Sequence, residues 1–223
     1  MQKRNAEKID RWAEILRHSA VALTPIDHAD PQARLSIAAG KHRVWIVACL
    51  NAIDAHRTGT KIAYDAPLRQ FVFPAPASMG AKVAESVWQA YLQYVLGSVE
   101  SAEWLGEAVR SLNPTALTAG IDDNPEPWWA NELLILHALQ SFVTLSGSIE
   151  LQASLDRCVD FHLAEIQPDH ATNEPWAIHA FAGHESGDTS AGALLHAAMV
   201  QGGGSLTPVA RLIIRDALYC LGK

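Results

Sequence analysis

Side chains able to do chemistry are densest between Asn124 and Ala182. Asp169-His170, followed by Thr172, Asn173, Glu174 and Trp176, joins a carboxylate to an imidazole, the pairing in which an acid orients a general base. One repeat earlier, Trp128, Trp129, Asn131 and Glu132 set an acid beside an aromatic floor. Glu132 with Asp169 or Glu174 would make the carboxylate pair of a glycosidase, and the tryptophans would suit a sugar ring. The same residues have plainer uses. Asp169 can cap a turn, Glu132 can complement the positive end of its own helix, and Trp128 can pack between repeats. The catalytic candidates are therefore Glu132, Asp169 and His170. The ligand-binding candidates are Trp128, Trp129, Asn131, Asn173, Glu174, Trp176, His137 and His179.

His137 and His179 hold equivalent positions on two apolar stretches, and His162 sits in the middle of an apolar stripe. Together with Asp216 they could meet in a central cavity around a metal. Their spacings match no short ligand pair such as His-x-x-x-His. A lone histidine on an apolar face is more often a hydrogen-bonded core residue. No metal is assigned and no cofactor is identified. Gly202-Gly203-Gly204 lacks the strand and the lysine of a phosphate loop and reads as a flexible turn.

The elements that must position these groups are helical. Residues 4–22 place Ile9, Trp12, Ala13 and Leu16 on one face. Asp30 and Pro31 open a second helix that runs to about His56, with Gly40 as a dividing point. Residues 57–78, punctuated by Pro67, Pro74 and Pro76, read as an irregular excursion or lid with a small hairpin. An amphipathic helix follows over Ala81 to Leu96, stopped by Gly97, and a shorter one over Val99 to Leu112. The helix after Pro127 is apolar nearly all round. The next, Glu150 to Ile166, carries a single stripe of Leu151, Leu155, Cys158, Val159, His162 and Ile166. An inner helix is thus followed by an outer one. The alternation continues through 175–182, 190–200 and a last apolar helix capped by Thr207-Pro208.

The 223-residue chain is long enough for one sizeable core, and 49% hydrophobic with 18% charged residues fits a globular fold. A net charge of -7 disfavours nucleic acid and anionic membranes as partners. No apolar run reaches the roughly 20 residues of a membrane span, and no signal peptide opens the chain. Cys49, Cys158 and Cys220 lie far apart in apolar helical stretches, as reduced core residues of a cytoplasmic protein.

The inner stretches share phrases. Leu-His-Ala-Leu stands at 136–139, Ile-His-Ala-Phe at 178–181 and Arg-Asp-Ala-Leu at 215–218, while Glu-Pro-Trp occurs at 126–128 and 174–176. A two-helix repeat of about 40 to 50 residues implies stacked neighbours sharing one core. Over roughly residues 80–222 this pattern resembles the α/α toroids, which include the terpenoid cyclase and protein prenyltransferase superfamily and the six-hairpin glycosidases. The resemblance implies inner helices around a central cavity and a site in the loops at one end. The motifs of those families depart. Gln93 to Val99 keeps the Gln and Gly of the cyclase repeat but ends in Val, and no Asp-x-Asp-Asp occurs. Asp122-Asp123-Asn124-Pro125-Glu126 is interrupted by proline, and Asp156-Arg-Cys158 lacks the distant histidine of a prenyltransferase zinc site.

The expectation is one all-α domain over residues 1–223, in which N-terminal helices precede stacked helical hairpins that form a partial or complete α/α toroid. Its function would be to hold a small molecule, a sugar or an isoprenoid, at the loop ends of the helix pairs. The alternative is a non-catalytic scaffold or dimerisation module that binds a protein on its helical surface. The partner would then be a small-molecule ligand, a protein or a second copy in a homo-oligomer.

Overall fold

The structure is a computed structural model that describes residues 2–21, 41–60, 87–88, 90–92, 94–97, 125–166 and 173–222. All regular structure among the described residues is helical, without strands. The core forms around α7, Pro208–Leu221, whose inward residues include Val209, Leu212, Ile213, Asp216 and Ala217. Thr207 caps it, accepting from the Ala210 N–H at 3.1 Å, and Pro208 occupies its first turn where a missing N–H costs nothing.

Four other helices pack directly on α7. α1, Gln2–Val21, turns Trp12, Ala13 and Leu16 inward. α2, Lys41–Thr58, begins directly after Gly40 and buries Ile46, Cys49, Leu50 and Ile53. It ends in a Schellman turn, with Gly59 at φ 67° and the Thr60 N–H reaching back to the Ala55 carbonyl at 2.9 Å. α3, Pro125–Ser146, is buried on all sides from Glu132 to Leu139. α5, Ile178–Gly183, is a short inner helix with every residue from Ile178 to Ala182 buried. Helical residues at 87–88, 90–92 and 94–95 add Val87, Trp88 and Tyr91 to the same core.

The outer helices are one-sided. α4, Ile149–Phe161, is capped by Ser148 and buries Leu155, Cys158 and Val159 while Asp156, Arg157 and Asp160 face water. It runs into a π-helical turn, His162–Ile166. α6, Asp188–Gln201, buries Ala191, Leu194 and Ala198. From α3 to α7 inner and outer helices alternate as the apolar patterning predicts.

One boundary differs from expectation. α2 continues through Arg57 and Thr58, which spacing assigns to the irregular excursion, because the glycine that stops the helix is Gly59. The rest of that excursion from residue 61, and the helices expected over 31–40 and 99–112, lie outside the described residues. Among those described, no helix is long and apolar enough to cross a membrane. The three cysteines are free and buried.

Candidate functional site

The second residues of the three recurring phrases meet. His137 on α3, His179 on α5 and Asp216 on α7 bring one ligand atom each to within 4.8 Å of one another. The third residue of each phrase, Ala138, Ala180 and Ala217, is small and buried, which lets the inner helices approach around this polar centre. The shared phrase thus marks a shared register toward the middle of the fold.

Asp216 is the hub. Its Oδ1 accepts from Arg57 Nη1 at 2.5 Å and from the Tyr91 hydroxyl at 2.6 Å. Its Oδ2 accepts from Ser141 Oγ at 2.8 Å and from His137 Nε2 at 3.0 Å. Four donors on two oxygens is about the capacity of a carboxylate. Burial opposes its charge. The hydrogen bond from His137, the positive charge of Arg57 and the Tyr91 hydroxyl outweigh that and hold its carboxyl far below the usual carboxylate range. Arg57 also donates to the Tyr91 oxygen at 2.6 Å and lies over the Tyr219 ring, 3.9 Å from its centre. Burial acts against the guanidinium, yet Asp216 more than restores its charge.

The donors fix every proton. Ala177 gives its backbone N–H to His137 Nδ1 at 3.1 Å. That nitrogen must carry a lone pair, so the proton of His137 sits on Nε2 and points at Asp216. Ser141 spends its one proton on Asp216, so its oxygen accepts from His179 Nε2 at 3.0 Å. Burial pushes His179 well below the usual imidazole range and keeps it neutral. The centre therefore holds one cation, one anion and two neutral imidazoles.

This proton order decides what the centre can do. A serine nucleophile needs an imidazole that accepts its proton. Here the proton of Ser141 goes to the carboxylate, and the imidazole donates to serine. A metal on His137 Nε2 would require the proton on Nδ1, where the Ala177 N–H already points. In the state described, the three potential ligands are hydrogen-bonded to their neighbours instead.

Aromatic rings wall the centre. Trp88 stacks on His137 with ring centres 5.7 Å apart and donates to the Leu134 carbonyl at 3.1 Å. Trp176 meets His137 edge-on at 5.5 Å and donates to Glu174 at 2.6 Å. Cys220, one turn beyond Asp216, is pushed up to about 12 by burial and by the Asp216 charge.

Glu132 lies in a second buried cluster. Its Oε2 is 3.3 Å from His162 Nε2, and both side chains are 0% exposed. His162 Nδ1 donates to the Cys158 carbonyl at 2.6 Å. His162 Nε2 itself makes no hydrogen bond among the described residues. The Cys158 thiol is pushed up to about 11 by burial and then by the Glu132 charge.

The remaining candidates divide. Trp176 is buried beside His137, Glu174 and Asn131 are half-buried, Trp129 is half-buried on α3, and Asn173 is exposed. Trp128 belongs to the first turn of α3. Asp169 and His170 lie outside the described residues. His162, grouped by spacing with the central histidines, pairs with Glu132 instead. Arg57, Tyr91 and Ser141 are the central residues that sequence reasoning did not single out. Comparison with protein-family models, with curated proteins and with solved structures finds no match.

Proposed function

We propose that the protein is a non-catalytic helical-hairpin scaffold of the α/α-toroid kind, whose polar centre locks the inner helices in register while a protein binds its helical surface. One observation carries this reading. Four donors from three separate helical stretches converge on the Asp216 carboxylate, so its hydrogen-bonding capacity is taken up within the protein. Such a network specifies which helices meet and at what height; it leaves no nucleophile or base poised for a substrate.

A second reading, an enzyme or binding protein for a sugar or an isoprenoid, is favoured by Glu132 and His162. They face each other at 3.3 Å out of water, and the π-turn that starts at His162 precedes Asp169 and His170 in the chain.

One experiment separates the two. The purified chain is heated with a panel of sugars and isoprenyl diphosphates, alone and as Glu132→Gln. The scaffold expects no compound to raise the melting temperature. A compound that raises it in the parent and not in the variant overturns the scaffold in favour of the small-molecule site.

A further inference from the structure

We propose that His137, His179 and Asp216 form a latent site for a divalent transition metal, opened by a peptide flip in the turn Pro175–Ile178. The turn is closed by the Ile178 N–H on the Pro175 carbonyl at 3.3 Å. Among its middle residues only the second, Ala177, has a positive φ, 57° with ψ 15°. A positive φ at that position alone defines a type II turn, which normally has glycine there. Ala177 is the only non-glycine residue with positive φ among the described residues. It is held there against the ordinary preference of an L-residue.

The strained peptide is the one that reads His137. The Trp176–Ala177 amide donates its N–H to His137 Nδ1. Type I and type II turns differ by rotation of this central peptide through about half a turn. In the type I form Ala177 returns to negative φ, and the Trp176 carbonyl takes the place of the N–H. His137 then carries its proton on Nδ1, bonded to that carbonyl. This is the usual outer-shell partner of a metal-bound histidine. Its Nε2 becomes a free lone pair directed at the centre.

The spacing of the centre suits a metal once that proton has moved. A tetrahedral ion with ligands at about 2.0 Å has ligand–ligand edges of about 3.3 Å. Among the three ligand atoms, His137 Nε2 and Asp216 Oδ2 are 3.0 Å apart and all three lie within 4.8 Å of one another, with Ser141 Oγ bridging Asp216 Oδ2 and His179 Nε2 at 2.8 and 3.0 Å. His179 can move its proton from Nε2 to Nδ1, a buried atom without a hydrogen-bond partner. Neither imidazole releases a proton in these shifts. Asp216 would bind through Oδ2 and keep Arg57 and Tyr91 on Oδ1. Two imidazoles and one carboxylate suit zinc, cobalt or ferrous iron. Because Arg57 already balances Asp216, a dication raises the charge of the centre, and the site is one of modest affinity.

The test uses the full chain, stripped with a chelator and titrated with Co(II) while its visible absorption is followed, with Zn(II) as competitor. One ion per chain is expected, displaced by zinc and lost in His179→Ala and Asp216→Asn. Two variants that leave every ligand in place address the flip. Ala177→Gly removes the strain of the metal-free turn and should weaken binding on the order of fivefold. Ala177→Val increases that strain and should tighten it. Absence of stoichiometric cobalt binding, or binding that survives both ligand variants in folded protein, overturns the site. Binding indifferent to residue 177 overturns the flip. None of these outcomes depends on whether the protein is a scaffold.

Discussion

Arg57 and Asp216 face each other at 2.5 Å across α2 and α7, although 159 residues separate them in the chain. One position away on α7 and three positions away on α2, Arg215 and Asp54 pair at 3.0 Å with the signs exchanged. Acid and base on one helix thus answer base and acid on the other, which fixes both direction and height.

The inner pair should behave as a buried ion pair. Asp216→Asn strands Arg57 and is expected to cost about 3 to 5 kcal/mol, as is Arg57→Met, which strands the carboxylate. The double variant Arg57→Met/Asp216→Asn should cost clearly less than the sum. Urea unfolding of the four proteins measures this, and additive losses would refute the pairing.

Glu132 and His162 should be separable by chemistry rather than size. Glu132→Gln can donate its amide to His162 Nε2, and its loss in stability is expected to stay under about 1 kcal/mol. His162→Leu takes the imidazole away from a fully buried carboxylate and should cost about 3 to 5 kcal/mol. Thermal unfolding of both variants at neutral pH decides, with the reverse ranking counting against the buried contact between Glu132 and His162.

Residue 177 has a stability signature of its own. Without metal, Ala177→Gly should raise stability by up to about 1 kcal/mol, because glycine adopts a positive φ without crowding its Cβ. A loss instead would mean that Ala177 is not held in the left-handed region.

Acid should release α1 from its neighbours. Asp188 at the start of α6 accepts from Trp12 Nε1 at 2.7 Å and pairs with Arg11 at 2.8 Å and Lys8 at 3.3 Å. Some burial works against its charge, but the hydrogen bonds from Trp12, Arg11 and Lys8 win and lower it to about 2. A depressed carboxyl contributes stability above its unfolded value, near 4, and loses it as pH falls toward about 2. Amide exchange in α1 should therefore accelerate over that window, and Asp188→Asn should show fast exchange already at neutral pH.

Thiol reagents should be turned away by the folded chain. Burial raises Cys49 far above its usual range, Cys158 to about 11 and Cys220 to about 12, so none is a thiolate at pH 8. Labelling with a disulfide reagent should wait for denaturant. Fast reaction of any one of the three in native protein would contradict its burial.

Much of the helical plan can be read directly from residue types. Thr207-Pro208 announces α7, Gly97 stops the helix before it, and the one-sided stripe of Leu155, Cys158 and Val159 marks α4 as outer. The recurring phrases also point to His137, His179 and Asp216 as equivalent. What local pattern cannot express is which donor reaches which acceptor. Arg57 stands beside helix breakers and looks like a loop cation, and Tyr91 looks like one more member of an apolar stripe. Ser141 is a small polar interruption of an inner helix. Each acquires its role only from Asp216, up to 159 residues away. Glu132 suggests a site by its neighbours in sequence, but its partner His162 comes from the far end of the next helix.

α7 touches α1, α2, α3 and α5. A ribosome builds those four before it builds α7, so each emerges with a face whose match has yet to be synthesised. Arg57, His137 and Ser141 must wait, still hydrated, until Asp216 arrives to claim them. Closure of so many distant pairings at once is slow. The nascent chain is therefore expected to spend that interval loosely collapsed and in need of shielding, and to become compact in one late step.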